Sequence, residues 1–200
     1  MPPRIPHQSA EDQGSRRADD VAGLSAELAA VVGGARRRAV RDGDRQIDTA
    51  HLLHSLLESD PDVRAVVGDV PQLARLLGYL VQRSIGYGLR WQGSVEDSGA
   101  LSVLKGVDGW SPLAAAAMRR AAERAGLRGD DEARGTDLLA AIVVDPEARA
   151  VEVLARAGVA VPELLARIAR NSGELAEDGG AAHRLLGRGG SGAGPAPSSR

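Results

Sequence analysis

Apolar residues recur along the chain with a period near 3.6, the spacing that places side chains on one face of an α-helix. One stripe begins at Leu24 and a second at Trp110, which we expect to lie in the core. The stripes consist of Leu24, Leu28, Val31, Val32, Ala35 and Ala39, and of Trp110, Ala114, Ala117, Met118, Ala121 and Ala125. Because no stretch shows sustained strand alternation, the pattern predicts an all-α protein.

The two stripes belong to an internal repeat. A shift of 86 residues aligns 24–57 with 110–143 without a gap and gives ten identical pairs. The motif Asp-Pro-x-x-Arg at 60–64 then recurs at 145–149, and a Val-Pro pair follows in each copy. Self-similarity of this kind indicates a duplicated supersecondary unit. The fold class we predict is therefore a tandem pseudo-twofold repeat of two four-helix units.

Each unit is predicted to contain a long first helix, a second helix with a Leu-Leu pair, a short helix after Asp-Pro and a last helix that begins at Val-Pro. Ser25 and Ser111 are placed to cap the first helices, and Pro112 suits a first helical position. Gly43 and Gly129 are placed to end those helices in the left-handed conformation.

The composition along the chain predicts where the ordered repeats, the connector and the disordered termini begin and end. Polar residues at 1–22 and the Gly, Ala, Pro and Ser residues at 172–200 predict disordered termini. Between them we predict helical repeat 1 at 23–85, a Gly-rich connector at 86–109 and helical repeat 2 at 110–171.

Charge and composition exclude several classes of function. The formal net charge is −2, which gives no strong case for nucleic acid or an anionic membrane. The absence of cysteine excludes disulfides and thiolate metal sites. No window approaches the roughly 18 apolar residues of a membrane helix, and the charged first twenty residues do not resemble a signal peptide. We therefore expect a cytoplasmic protein without membrane contact.

Catalytic motifs are missing, so we expect neither an enzyme nor a cofactor. The only lysine, Lys105, precedes Gly106 rather than closing a phosphate-binding loop. No Gly-x-Ser-x-Gly elbow is present for a serine hydrolase. His51 and His54, with Asp48 or Glu58, have a spacing that suits a metal, but His-Glu-x-x-His is absent. We expect no metal there, with one histidine packed and the other at the surface.

The layout resembles the N-terminal (Clp repeat) domain of the Clp unfoldases, without the ATPase modules of those machines. The residues that carry the resemblance are Ser111-Pro112 at a first-helix start and Ile47-Asp48-Thr49-Ala50-His51-Leu52-Leu53, similar to the family's Ile-Gly-Thr-Glu-His-Leu-Leu. A second copy, Arg134-Gly135-Thr136-Asp137-Leu138-Leu139, is more diverged. The resemblance covers about 24–171.

This resemblance implies a non-catalytic interaction module that binds substrate segments or adaptors and modulates Clp-dependent proteolysis. Its partners would be Clp ATPase or protease components, an adaptor or a client peptide. In some members the domain holds phosphorylated arginine, with a hydroxyl at the first-helix start and the motif Glu on the guanidinium. The hydroxyls here are Ser25 and Ser111, whereas Ala50 and Thr136 stand at the Glu positions. Candidate binding residues at the helix starts are Ser25, Ser111, Thr49 and His51.

Three of the four aromatic residues lie in or next to the connector. Tyr79, Tyr87 and Trp91, with Arg90, form either a binding surface or a clamp that packs the connector over the seam between repeats. Aromatic and arginine side chains are typical of binding surfaces because they bury much area at low entropic cost. Both interpretations remain open at this point.

A basic stretch from Arg36 to Arg45 gives the alternative function, a nucleic-acid-associated regulator. Arg36, Arg37, Arg38, Arg41 and Arg45 could form a basic helix face. The simpler interpretation is a solvated face partly neutralised by nearby aspartates, so we consider nucleic acid an unlikely partner.

Overall fold

The computed structural model describes residues 24–84, 96 and 109–186, and over these residues the chain is all-α. Its helices, in chain order, are α1 Ala26–Asp42, α2 Thr49–Ser59, α3 Pro61–Val67, α4 Val70–Ser84, α5 Pro112–Arg128, α6 Gly135–Val143, α7 Arg149–Arg156 and α8 Val161–Leu186. The disorder predicted for 1–22 and most of the connector lie outside the described residues.

The long first helices, α1 and α5, begin and end at the capping residues that were predicted from the sequence. Ser25 and Ser111 each accept a hydrogen bond from the backbone N–H three residues later, at 3.2 and 3.1 Å. Pro112 occupies the first position of α5, where no N–H donor is needed. Gly43 and Gly129 end α1 and α5 with φ of 75° and 80°, a conformation that costs glycine little.

The core is centred on α2 and α6. Every residue from Thr49 to Leu57 and from Gly135 to Val143 is buried, so all of α6 and the first nine residues of α2 are enclosed by other parts of the protein. Helix α1 packs on α2, and α5 packs on α6. Trp110 is 3% exposed and belongs to the same apolar cluster, which confirms its predicted place in the core.

Two isolated parallel bridges tie the halves of the molecule together. One pairs Leu24 with Ala133, and the other pairs Ile47 with Trp110. Ile47 donates its N–H to Gly109 at 2.7 Å and accepts from the N–H of Ser111 at 2.8 Å. The shift of 86 residues converts each bridge into the other. The start of each long first helix therefore lies against the segment that precedes the buried helix of the opposite half.

The halves differ after the Asp-Pro pairs. Asp60 accepts from the N–H groups of Asp62 and Val63, so α3 begins at once, as predicted. Asp145 accepts from the N–H of Glu147 in a turn instead, and α7 begins only at Arg149. The last helices begin at Val-Pro, as predicted.

Helix α8 continues past 171, the predicted end of repeat 2, to Leu186. Residues 172–186 contain no proline, and their Glu, Leu and Ala residues favour a helix, whereas Gly173, Gly179 and Gly180 disfavour it. The remainder of the predicted tail lies outside the described residues. Among the helices of the described part of the chain, none combines the length and apolarity required to cross a bilayer.

Candidate functional site: a carboxylate held at three helix starts

A carboxylate from the connector is buried between the two halves. Glu96 is 4% exposed, and its Oε2 accepts from the N–H of Thr49 at 2.9 Å and from the hydroxyl of Ser111 at 2.6 Å. Its Oε1 accepts from the N–H of Arg149 at 2.7 Å and from the hydroxyl of Thr49. We call Thr49, Glu96, Ser111 and Arg149 the helix-start cluster.

The cluster follows from where three helices begin. Thr49 and Arg149 are the first residues of α2 and α7, where backbone N–H groups have no partner inside the helix. Ser111 is the N-cap of α5 and donates its hydroxyl proton to Glu96 while it accepts from Ala114. Helix N-termini carry partial positive charge, so the cluster is suited to hold an anion.

A buried ion pair between Asp48 and Arg149 lies next to the cluster and stabilises it. Asp48, the N-cap of α2, accepts from the guanidinium of Arg149 at 2.6 Å and from the N–H of His51 at 2.9 Å. The side chains of Asp48 and Arg149 are 2% and 9% exposed. Because Arg149 reaches Asp48 with its side chain and Glu96 with its backbone, it connects the two acids.

His51 lies beside this cluster but takes another role. Its Nδ1 accepts from the N–H of Asp48 at 3.2 Å, which completes a capping box. Its Nε2 lies 3.3 Å from Asp44 Oδ2 and 3.6 Å from Asp42 Oδ2. The imidazole is therefore directed to a group of acids at the end of α1.

The expectation that one histidine of the His51/His54 pair lies at the surface is wrong. His51 is 1% exposed and His54 is 6% exposed, because the first nine residues of α2 are enclosed by other parts of the protein. Burial, followed by the nearby positive charge of Arg38, lowers the pKa of His54 to about 4. The two histidines have different acidic neighbours, since His54 Nε2 lies 3.3 Å from Glu58.

Ser25 does not join the helix-start cluster. It lines an open cavity of about 800 Å³ together with the N-terminal ends of α3 and α6. The acidic side chains of this cavity are those of Glu27, Asp60, Asp62, Asp130, Asp131 and Glu132. The structure therefore brings Thr49 and Ser111 together, and it places Ser25 at a separate and acidic surface.

In the second copy of the motif, at 134–139, the acidic side chain also forms its contacts within the protein. Asp137, next to Thr136, is 2% exposed and accepts from the guanidinium of Arg128 at 2.6 Å. It accepts from the N–H of Arg134 at 3.0 Å as well. These bonds hold the Asp137 carboxylate in the structure of the α5–α6 turn.

Of the aromatic candidates, Tyr79 is described, and Tyr87, Arg90 and Trp91 lie outside the described residues. Tyr79 is half-buried and packs against the apolar core. Its ring contributes to the packing of α4 in this structure.

The basic stretch is partly paired. Arg38 forms an ion pair with Glu58, and Arg41 Nε lies 3.6 Å from Asp42 Oδ1. Arg37, Arg41 and Arg45 are exposed. The stretch therefore presents a solvated face with some of its charge neutralised.

Sequence reasoning missed Glu96 and Arg149 as site residues. Glu96 is one acid in a Gly-rich segment, and nothing in its spacing marks it. Arg149 repeats Arg64, yet Arg64 donates to the carbonyls at the end of α2, at 3.0 and 3.1 Å. The different use of the matched arginines depends on the later start of α7.

Comparisons with known proteins assign no family to this chain. Neither a scan against protein-family models nor a search of curated proteins gives a match for this chain. The resemblance to the Clp N-terminal domain therefore rests on the chain's own residues.

Proposed function

We propose that this chain is a non-catalytic protein-interaction module resembling the Clp N-terminal domain. In this proposal, two four-helix units form a pseudo-twofold repeat that binds substrate segments or adaptors and modulates Clp-dependent proteolysis in the cytoplasm. Two observations support the repeat: the helices follow the same order in each half, and the two bridges interchange under the shift of 86 residues.

The observation that carries the proposal is the Glu96 carboxylate. This carboxylate accepts hydrogen bonds from the first backbone N–H groups of α2 and α7 and from the hydroxyls of Thr49 and Ser111. Charge-assisted bonds of this kind are strong because the acceptor is ionised. An acidic group on a client or adaptor segment would use the same donors in place of Glu96.

The connector residues Tyr87, Arg90 and Trp91 belong to the proposed surface. They stand close to Glu96 in sequence, so a segment that replaced Glu96 would displace the connector near them. Aromatic and arginine side chains supply most of the binding energy at many protein interfaces.

A pull-down tests the proposal. The tagged full chain is incubated with a lysate of the source organism, and retained proteins are identified by mass spectrometry. We expect a Clp ATPase, its protease or a defined client set to be retained, and Thr49→Val/Ser111→Ala to lose it. Glu96→Gln should increase retention, because an amide competes less well for the donors.

The matched control is Ser25→Ala, which removes a helix cap outside the helix-start cluster. Circular dichroism establishes that each variant remains folded. Equal retention by wild type and Thr49→Val/Ser111→Ala would contradict the cluster as the binding site. Retention of no Clp component would contradict the role in proteolysis.

The alternative, a nucleic-acid-associated regulator, is less well supported. Arg38 is paired with Glu58, and Arg41 lies close to Asp42, which reduces the charge available for phosphates. Phosphate binding would weaken steeply with salt because counterions are released. Binding of duplex or single strands at low salt, lost in Arg37→Ala/Arg41→Ala, would favour this alternative.

A further inference from the structure

The donors of the helix-start cluster are divided evenly between the two oxygens of Glu96. Oε2 accepts from the N–H of Thr49 at 2.9 Å and from the hydroxyl of Ser111 at 2.6 Å. Oε1 accepts from the N–H of Arg149 at 2.7 Å and from the hydroxyl of Thr49. A carboxylate offers about four lone-pair sites on its two oxygens. The four donors therefore match a planar group with two acceptor oxygens.

Both hydroxyls of the cluster are oriented as donors towards Glu96. The Ser111 hydroxyl accepts from the N–H of Ala114 at 3.1 Å. The Thr49 hydroxyl accepts from the N–H of Ala150 at 3.1 Å. Because a hydroxyl has one proton, an N–H that points at its oxygen leaves that proton for another acceptor. An incoming group must therefore accept all four bonds, which an amide or a protonated acid cannot do.

The four donors are neutral groups. They are two backbone N–H groups and two hydroxyls at the starts of α2, α5 and α7. The guanidinium of Arg149 donates to the buried carboxylate of Asp48 at 2.6 Å. Phosphoryl groups carry nearly two negative charges and are commonly bound by arginine side chains. Neutral donors beside a buried acid are better suited to a single negative charge.

A phosphoryl or sulfonate group would also bring a third oxygen into the cluster. Glu96 is 4% exposed, so a group in its place is largely removed from water. The four donors face two oxygens, which leaves the third oxygen without a bond from them. An unsatisfied buried acceptor weakens binding by about tenfold or more. A carboxylate does not incur this loss.

We propose that the helix-start cluster selects a carboxylate and rejects phosphoryl groups. The segments that bind there carry glutamate rather than a phosphorylated residue. This inference rests on the proposed function for the existence of a bound segment, and on the bonds to Glu96 for its chemistry. A glutamate of the partner reaches the four donors across the same two methylene groups as Glu96 does.

Chemical rescue of Glu96→Ala tests this selectivity on the full chain. The substitution removes Cγ and the carboxylate, and acetate supplies the same atoms. Melting temperature is measured against the concentration of sodium acetate, methanesulfonate or phosphate, with ionic strength held constant by sodium chloride. Methanesulfonate has the single charge of acetate and a third oxygen, so it separates shape from charge.

We expect acetate to raise the melting temperature of Glu96→Ala in a saturable manner, because a ligand that binds the folded state stabilises it by mass action. The apparent affinity for methanesulfonate and phosphate should be weaker by about tenfold or more. If Glu96→Ala folds only when an anion is present, circular dichroism after refolding in each salt gives the same comparison.

Three variants serve as controls. Wild type and Glu147→Ala, which removes an exposed acid, both retain Glu96 and should show no specific response to acetate. Glu96→Ala/Ser111→Ala lacks one donor and should bind acetate about tenfold more weakly than Glu96→Ala. In the pull-down, phosphatase treatment of the lysate should leave the retained proteins unchanged.

Four results would overturn the proposal. They are absence of a saturable response to acetate, an affinity for methanesulfonate or phosphate equal to that for acetate, an acetate response unchanged by Ser111→Ala, and loss of retention after phosphatase treatment. The first three concern the chemistry of the cluster and leave the role in proteolysis open. Rescue by acetate without retention of a Clp component would contradict that role and support the carboxylate selectivity.

Discussion

Arg149 binds two acids from different parts of the chain: its guanidinium donates to Asp48 at 2.6 Å, and its backbone N–H donates to Glu96 at 2.7 Å. Asp48 begins α2 in one half, and Glu96 comes from the connector. This one residue at the start of α7 therefore holds together three segments that are far apart in sequence.

Arg149→Met should destabilise the protein by about 3–5 kcal/mol, because it leaves the buried Asp48 carboxylate without its guanidinium partner. Urea unfolding followed by circular dichroism measures the change. The control is Arg156→Ala, which breaks an exposed pair with Glu152 and should cost less than about 1 kcal/mol. Similar losses in the two variants would show that the burial of Asp48 adds nothing.

Glu96→Gln should lower the free energy of unfolding by about 1–3 kcal/mol, since an amide replaces one acceptor oxygen with a donor that faces other donors. Glu147 is exposed, so Glu147→Gln should stay within about 0.5 kcal/mol of wild type. Chemical unfolding of the two variants side by side provides the comparison, and equal stabilities would contradict the anchoring role of Glu96.

Replacement of the two N-cap serines by alanine should lower the free energy of unfolding by different amounts. Ser25→Ala removes one capping bond and should cost about 1 kcal/mol. Ser111→Ala removes a capping bond and also the donor to Glu96, so its loss should be larger by about 1 kcal/mol. Thermal unfolding of both variants tests this order, and the prediction fails when Ser25→Ala is the more damaging change.

Two glycine substitutions should have opposite signs. A Cβ at Gly135 would clash with Asp60 Oδ2, so Gly135→Ala forces Asp60 away from the start of α6 and destabilises the protein. A Cβ at Gly126 meets nothing within 4 Å inside α5, so Gly126→Ala should stabilise it by about 0.5–1 kcal/mol. Melting temperatures of the two variants provide the check; changes of the same sign would be inconsistent with this packing.

Acid should weaken the fold partly through His54. Burial lowers its pKa from 6.5 to about 4, so the unfolded chain binds a proton at this residue more readily than the folded protein does. The corresponding stability is fully present above pH 6.5 and is lost as the pH falls towards 4, by at most about 3 kcal/mol. Unfolding at pH 7 and pH 4.5 should show a smaller pH dependence in His54→Gln than in wild type.

Local rules were sufficient for the ends of α1 and α5 and for the buried stripes of these helices. Ser111 and Gly129 satisfy requirements set by the neighbouring backbone, and the period of the apolar residues identifies the buried stripe of Trp110. These features depend on residues within one or two turns, so the sequence contains all that is needed to predict them.

The helix-start cluster was harder to predict from the sequence, because it depends on distances between segments that are far apart in the chain. The hydroxyls of Thr49 and Ser111 were singled out, but their shared acceptor, Glu96, lies in a stretch with no periodic pattern. The enclosure of α2 also depends on packing from several sides, which is why one of the two histidines, His51 and His54, was expected at the surface.

The two parallel bridges have a consequence for how the chain acquires its structure. Each bridge joins residues that are distant in sequence, Leu24 with Ala133 and Ile47 with Trp110. Contacts between distant residues require closure of a long loop and slow the folding of small domains. During synthesis on the ribosome, α1 and α2 emerge before the residues that complete their ends. The first half of the nascent chain therefore cannot reach its final packing until α5 and α6 have been synthesised.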